Sequence, residues 1–388
     1  MWTAERALSL VNAQGRGAVR VEGSRIVQLD GAPRAGDLRV DLGGDRLLPG
    51  LINAHDHLQL NALPRLKYRD RYASATEWIA DIGPRLKVDP MFVADAAVPR
   101  DQRLLIGGVK NLLSGVTTVA HHDPGHESLL DERFPVRVLS RQGWSHSLAV
   151  DGEQAVQRSF RRTPSHWPWI IHAAEGVDEA ARTEFDHLDA LGCLHANTVL
   201  VHGVALGQAQ QRRMIAIGAA LAWCPTSNLH LFDRTPDIRM LFDARRVALG
   251  SDSRISAERD LLAELRVAGE VSALDDAALE SLVTDRAAQV LRMPDRGVLA
   301  RGALADLVVL PAGLPLSRAV RADVRLVLVG GVPRYADPDL AQALGEHAKL
   351  VEVRVDGRRK FLARSVVDAL QAACIREPGL DTLLETSA

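Results

Sequence analysis

The chain has 388 residues, more than one typical domain of roughly 100–200 residues, and its formal net charge is −2. It has no long basic run and no stretch of about 20 apolar residues, so we expect neither nucleic acid nor a membrane as partner. It also has no CxxC pair, so we expect no thiolate zinc site. Its three scattered cysteines, Cys193, Cys224 and Cys374, predict no disulfide framework, and its first ten residues lack the apolar core of a signal peptide, which favours a cytoplasmic protein.

Short strands are predicted over the first 45 or so residues, because VRVEGSRIVQLDG alternates apolar and polar positions between glycines. The apolar run RLLPGLINAH then begins a second pattern, in which strands alternate with helical stretches to about residue 295. The strand candidates are GVTTVAHH, FPVRVLS, PWIIHAAE, NTVLVHG, AALAWCP and RVALGSDS, and the helix candidates are DQRLLIGGVKNLLS, DEAARTEFDHLDALG and GQAQQRRMIAIG. This alternation predicts a parallel α/β sheet, and the number of units favours a closed (β/α)8, TIM-like barrel over residues 48–296.

The tail of the chain changes character again. ALADLVVLP, VRLVLVGGVPRY and VEVRVDGRR predict strands, and VVDALQAACI predicts a terminal helix. We expect residues 1–47 and 297–388 to combine into one small β-sandwich domain beside the barrel. Only seven clear strands belong to the barrel, so SRQGWSHSL, in a short region between residues 137 and 170, must supply the eighth strand or part of it.

Polar side chains of metal-ligand type follow most of the predicted barrel strands. His55 and His57 stand two apart at the first strand end, so both rings can point the same way. His172, His202 and Asp252 each end a later strand. Any one of these residues alone is equally explained by a hydrogen-bonded loop histidine or a helix cap. Because active sites of such barrels lie at the carboxyl ends of the strands, the whole set predicts a metal site.

Neutral imidazoles and a carboxylate suit Zn²⁺ or Fe²⁺. His55, His57, His172 and Asp252 would leave room for one water, whose pKa a bound metal lowers. Asp252 can accept a proton from that water, and Glu175, three residues after His172, can protonate a leaving nitrogen. We therefore expect one divalent metal and a small-molecule substrate.

The motifs PGLINAHDHL, IIHAAEG, VLVHGVAL, WCPTSNLHLF and LGSDS, in this order, resemble the amidohydrolase superfamily. They are most similar to its deaminase and chlorohydrolase branch, which includes cytosine, guanine and S-adenosylhomocysteine deaminases, and the similarity extends from about residue 18 to 335. The resemblance implies one metal held by His55, His57, His172 and Asp252, with Glu175 shuttling protons and His202 assisting at the water. It also places Asn228 near the substrate, and a homodimer is compatible with it.

Some assignments stay open at the level of sequence. His146 matches a substrate-contacting histidine of the branch only loosely, and His121, His122 and His126 either face the substrate or belong to a polar loop with one packed ring. No lysine lies between residues 111 and 348, which argues against two-metal relatives bridged by a carbamylated lysine. Deamination of an amino-substituted heterocycle is the leading hypothesis. An amidase or cyclic amide hydrolase with the same metal is the alternative, and a non-catalytic barrel paralogue is the third.

Overall fold

A computed structural model describes residues 7–13, 18–373 and 375–382. Cys374 and the first six residues, on which parts of the cysteine and signal-peptide predictions depend, lie outside the described residues. Cys193 and Cys224 are both buried free thiols, as expected. In the described part of the chain, no helix combines the length and the apolar character needed to cross a membrane.

The strands fall into an amino-terminal, a central and a carboxy-terminal group. The first comprises β1 (Leu8–Val11), β2 (Ala18–Glu22), β3 (Arg25–Gly31), β4 (Leu38–Asp41) and β5 (Arg46–Pro49). The central group comprises β6 (Leu51–Asp56), β7 (Val116–His121), β8 (Arg137–Val138), β9 (Gly143–Ser145), β10 (Trp169–Ala173), β11 (Thr198–His202), β12 (Ala220–Trp223) and β13 (Val247–Leu249). The last comprises β14 (Leu307–Leu310), β15 (Leu326–Val329), β16 (Val332–Ala336), β17 (Leu350–Val355), β18 (Arg358–Ala363) and β19 (Leu380–Asp381).

Helices separate most of the central strands and continue into the tail. They are α1 (Ala75–Ile82), α2 (Pro90–Ala97), α3 (Arg100–Leu113), α4 (Leu148–Asp151), α5 (Glu153–Arg162), α6 (Glu179–Ala190), α7 (Gln208–Ile217), α8 (Pro225–Phe232), α9 (Arg239–Asp243), α10 (Leu261–Val271), α11 (Asp276–Ser281), α12 (Asp285–Val290), α13 (Pro338–Leu344) and α14 (Arg364–Ala372). The helices predicted from the sequence correspond to α3, α6, α7 and α14.

The central strands are parallel and form two sheets, β6-β7-β8 and β9-β10-β11-β12-β13 in spatial order, so the predicted parallel α/β architecture is confirmed. SRQGWSHSL supplies the eighth strand, β9, as expected. At only three residues, β9 is too short to be recognised from periodicity. Within the described residues, the ladder is not continuous between β8 and β9 or between β13 and β6, so these strands are not a closed hydrogen-bonded ring.

The run RLLPGLINAH is two strands, not the single strand expected from its apolar pattern. It divides at Gly50, where a Cβ atom would lie 2.2 Å from the Thr117 hydroxyl oxygen. Before this point β5 pairs antiparallel with β14, and after it β6 pairs parallel with β7. The chain therefore passes from one sheet system to the other at a residue that only glycine fits.

The terminal segments meet in two further sheets. One has the order β3-β2-β1-β4, and the other has the order β19-β17-β18-β16-β15-β14-β5. Leu10 and Val19 of the first share one buried apolar cluster with Val309 and Leu328 of the second. These two sheets therefore pack on a common core.

A separate buried cluster lies between the central strands. The cluster contains alternate residues of six central strands, because successive side chains of a strand point to opposite faces. Its strand members include Ile52, Ala54, Ala120, Ile170, Val199, Val201, Ala220, Ala222 and Ala248, with Leu139 and Trp144 packed against it. The carboxyl ends of the same strands carry the polar residues predicted to do chemistry.

Candidate metal centre

The candidate residues reach one place because parallel strands end at the same edge. His55 lies in β6, His172 in β10 and His202 at the end of β11, and all three are buried. His202 and Asp252 have positive φ angles of 70° and 50°. A left-handed backbone is costly for residues other than glycine, and such strain concentrates at functional sites.

Three imidazoles converge through their Nε2 atoms. His172 Nε2 lies 3.2 Å from His57 Nε2 and 3.3 Å from His55 Nε2. Asp252 Oδ1 lies 3.6 Å from His55 Nε2 and 3.8 Å from His57 Nε2. All four residues predicted as ligands are thus brought together.

Hydrogen-bond acceptors behind the rings of His57 and His172 determine which ring nitrogen carries the proton. His57 Nδ1 lies 2.6 Å from Asp123 Oδ2, and His172 Nδ1 lies 2.8 Å from the carbonyl oxygen of His146. Because both partners accept hydrogen bonds, each Nδ1 carries the proton and each Nε2 can present a lone pair inwards. This arrangement is typical of metal-bound histidines.

The protonation states also suit metal ligands, with one exception. Burial lowers the pKa of His55 and lowers that of His172 well below its ordinary value, so both rings are neutral. Burial would raise the pKa of Asp252, but the surrounding histidines hold it well below its usual range. For His57 burial acts to lower the pKa, yet Asp123 outweighs it and raises the pKa to about 9. A metal must therefore displace a proton from His57 on binding.

His122, predicted as a substrate contact, lies inside this cluster. The ligand atoms of His55, His57, His122 and His172 all lie within 4.8 Å of one another, and all four residues are buried. The His122 ring stacks on that of His172 with centroids 4.3 Å apart. His121 ends β7 and His122 follows it, and only the structure shows that His122 is the one that joins the cluster.

Glu175 and His202 form the second part of the site. His202 Nε2 lies 3.5 Å from Glu175 Oε1, and its Nδ1 lies 2.9 Å from Asn228 Oδ1. Burial, together with the carboxylates of Asp252 and Glu184, raises the pKa of Glu175 well above its ordinary value. A glutamate whose protonated form is favoured thus faces a histidine whose pKa burial lowers to about 4. Asn228 contacts His202, and this contact fixes the histidine tautomer.

The remaining predicted histidines have different surroundings. The backbone carbonyl of His146 anchors His172, and its half-buried ring lies 4.7 Å from the His172 ring, between centroids. His121 Nδ1 accepts a hydrogen bond from the backbone nitrogen of Leu58. His126 accepts one from the backbone nitrogen of Ser128 and caps a short 3₁₀ segment. His121 and His126 therefore have local structural partners.

A buried ion pair under the cluster was not anticipated from the sequence. Lys110 of α3 and Asp56, the residue between His55 and His57, both have fully buried side chains, with Lys110 Nζ 3.1 Å from Asp56 Oδ2. Lys110 also donates to the backbone carbonyl of Asp252, at 3.0 Å. The available signal was a lysine inside the otherwise apolar helical run IGGVKNLL.

Two supporting acids were also missed. Asp123, which anchors His57, directly follows the adjacent histidines and had a visible sequence signal in the polar cluster AHHD. Glu264 of α10 accepts hydrogen bonds from the backbone nitrogen of Thr226, at 3.0 Å, and from its hydroxyl. It thereby holds the first turn of α8, the helix that carries Asn228.

A sequence profile of the amidohydrolase family matches residues 151–335, a range that contains His172, Glu175, His202 and Asp252. The 5-methylthioadenosine/S-adenosylhomocysteine deaminase of Haloarcula marismortui is 25% identical, with 81% of this chain and 82% of the relative covered.

Two solved structures share the fold. A zinc-bound adenosine deaminase from Xanthomonas campestris has a TM-score of 0.66 at 20% identity, covering 88% of this chain and 96% of that one. The triazine hydrolase from Arthrobacter aurescens has a TM-score of 0.71 at 18% identity, covering 88% and 99%. Together these comparisons confirm the resemblance of this chain to the amidohydrolases, and with it the predicted class of enzyme, a hydrolase that acts on carbon–nitrogen bonds.

Proposed function

We propose that this chain is a metal-dependent deaminase that hydrolyses the exocyclic carbon–nitrogen bond of an amino-substituted heterocycle. The observation that carries the proposal is the convergence of three histidine Nε2 atoms and Asp252 on one point, with Glu175 and His202 beside them. In this reaction water adds to the ring carbon, one C–O bond forms, one C–N bond breaks and ammonia leaves.

The donor set fits a divalent metal. Acceptors on Nδ1 of His57 and His172 direct the Nε2 atoms of these rings inwards, where His55 Nε2 and Asp252 Oδ1 also lie, and a cation between these atoms would replace the proton of His57. We propose His55, His57, His172 and Asp252 as the ligands, and Zn²⁺ or Fe²⁺ as the metal. When bound there, the metal supplies Lewis acidity that lowers the pKa of a water in the site.

Two side chains, Asp252 and Glu175, carry out the two proton transfers of this reaction. Asp252, held ionised by its histidine neighbours, accepts the proton of the attacking water. Burial raises the pKa of Glu175 and so favours its protonated form, which can deliver a proton to the nitrogen that leaves. His202 orients the water or the substrate through Nε2, because Asn228 fixes the proton on Nδ1.

We further propose that β6–β13 form one barrel around this site, and that residues 1–47 and 297–388 form one β-sandwich domain. The shared cluster of alternate strand residues supports the barrel, and the backbone hydrogen bond from Asp252 N to His55 O, at 3.0 Å, links its first and last units. The pairing of β5 with β14 supports the composite domain. A crystal structure in which β6 and β13 are not neighbours would contradict the barrel.

For the substrate, the names of the relatives point to 6-aminopurine nucleosides, so adenosine, 5-methylthioadenosine and S-adenosylhomocysteine are the first to assay. Pyrimidines and pterins follow, and cyclic and linear amides test the amidase alternative. All of these candidates are small molecules, which is the kind of substrate expected from the sequence.

The experiment that tests the proposal combines metal analysis with ammonia release. About one zinc or iron per chain, lost in a His55→Ala/His57→Ala variant, together with ammonia released from a heterocycle, is the expected result. Metal with amide hydrolysis but no ammonia release from heterocycles favours the amidase. A protein that binds no metal after reconstitution is the non-catalytic paralogue.

A further inference from the structure

Within the described residues, one nitrogen of the His122 ring has no hydrogen-bond partner. His122 is 1% exposed, and its Nε2 lies 2.8 Å from the carbonyl oxygen of Ser145. Its Nδ1 is buried, and no group in the part of the chain that the structure describes forms a hydrogen bond with it. Buried polar atoms are rarely left unpaired, so an orphaned one at a functional site calls for a ligand.

The Ser145 carbonyl also decides which nitrogen carries the proton. A carbonyl oxygen only accepts, so Nε2 of His122 must be the N–H and Nδ1 must carry the lone pair. Burial lowers the pKa of His122 well below its ordinary value, which agrees with a neutral ring. The missing partner of Nδ1 is therefore an electron-pair acceptor or a proton donor.

The same construction recurs at the two anchored ligands. Asp123 contacts Nδ1 of His57, and the carbonyl of His146 contacts Nδ1 of His172. In the same way, the carbonyl of Ser145 contacts Nε2 of His122. In each ring the acceptor holds one nitrogen and leaves the other available to a ligand. An acceptor on the second nitrogen is the usual support of a metal-bound imidazole. His122 has this support although no motif marks it.

The position of His122 favours a metal over a substrate donor. Its ligand atom lies within 4.8 Å of those of His55, His57 and His172, and its ring centroid lies 5.1 Å from that of His55. His146 provides the contrast, because its Nδ1 already lies 3.3 Å from the Ser147 hydroxyl and its ring is half-buried.

We propose that His122 binds the metal through Nδ1, as an imidazole ligand additional to His55, His57, His172 and Asp252. This inference rests on the proposed metal site. It gives the metal five protein donors, more than the three or four usual for Zn²⁺. We therefore expect the site to prefer a metal that accepts a higher coordination number, such as Fe²⁺.

X-ray absorption of the metal-loaded wild-type protein tests the proposal without any substitution. Four imidazole ligands are expected, and three would overturn it. Chelator competition on variants is the second measurement. His122→Gln should weaken metal binding by about tenfold or more, since even partners of ligands contribute that much. The control variant His146→Gln should bind the metal as tightly as the wild type does.

The outcomes separate this inference from the proposed function. If the His122→Gln protein, shown by circular dichroism to be folded, binds metal as tightly as the wild type, His122 is not a ligand and the proposed function stands. If the wild-type protein binds no metal at all, both the inference and the proposed function are wrong.

Discussion

Replacing Lys110 by Met tests the buried ion pair beneath the site. Lys110 Nζ lies 2.7 Å from Asn61 Oδ1, 3.1 Å from both Asp56 Oδ2 and Ser251 Oγ, and 3.0 Å from Asp252 O. Met keeps the apolar stem and removes the charge. The Asp56 carboxylate would then remain buried with only neutral side-chain donors, among them Asn111 at 2.8 Å.

Removal of one partner from a buried ion pair typically costs about 3–5 kcal/mol, because the other charge stays without compensation. That is a large share of the roughly 5–15 kcal/mol by which a native protein is stable. We therefore expect Lys110→Met to lower the free energy of unfolding by about 3–5 kcal/mol. The double variant Asp56→Asn/Lys110→Met should recover most of the loss, because it removes both charges of the pair.

Urea unfolding followed by fluorescence and by circular dichroism measures these differences, and agreement of the two probes checks for a two-state transition. A loss below about 1 kcal/mol in the single variant would refute the reasoning, as would a double variant no more stable than Lys110→Met. Because Lys110 also holds the Asp252 carbonyl, metal affinity should fall in Lys110→Met as well.

Three further predictions concern the site itself. Asp252→Asn should retain the fold and lower turnover by about 10²–10⁴-fold, the usual range for a general base, and unchanged turnover would remove Asp252 from the mechanism. Burial raises the pKa of Glu264 to about 8 from an ordinary 4.5, so its contribution to stability is complete below pH 4.5 and is lost as the pH rises to 8. Glu264→Gln should therefore gain in melting temperature relative to the wild type across that range, and a constant difference would contradict this. Chelation of the metal should lower the melting temperature. The loss corresponds to about 2.7 kcal/mol if the free metal concentration before chelation was 100 times the Kd. An unaltered melting curve would show that no metal stabilises the fold.

Sequence patterns were sufficient to predict most of the central strands, the helices α3, α6, α7 and α14, and the polar residues at the strand ends. His55, His172, His202 and Asp252 were predictable because each follows an apolar run, and parallel strands expose their carboxyl ends at one edge. The pattern was weakest at β9, which at three residues is too short for periodicity to reveal.

The groups that surround the candidate ligands could be identified only from the folded structure. His122, Asp123 and Lys110 have roles set by partners far away in the chain or by ring orientation, such as the Ser145 carbonyl for His122 and Asp56 for Lys110. Local patterns report which face a residue occupies, but they carry no information on which distant group meets it there. Hydrogen bonds and ion pairs between elements are formed only when the strands and helices pack, so the sequence predicted candidate ligands and the fold revealed the groups that contact them.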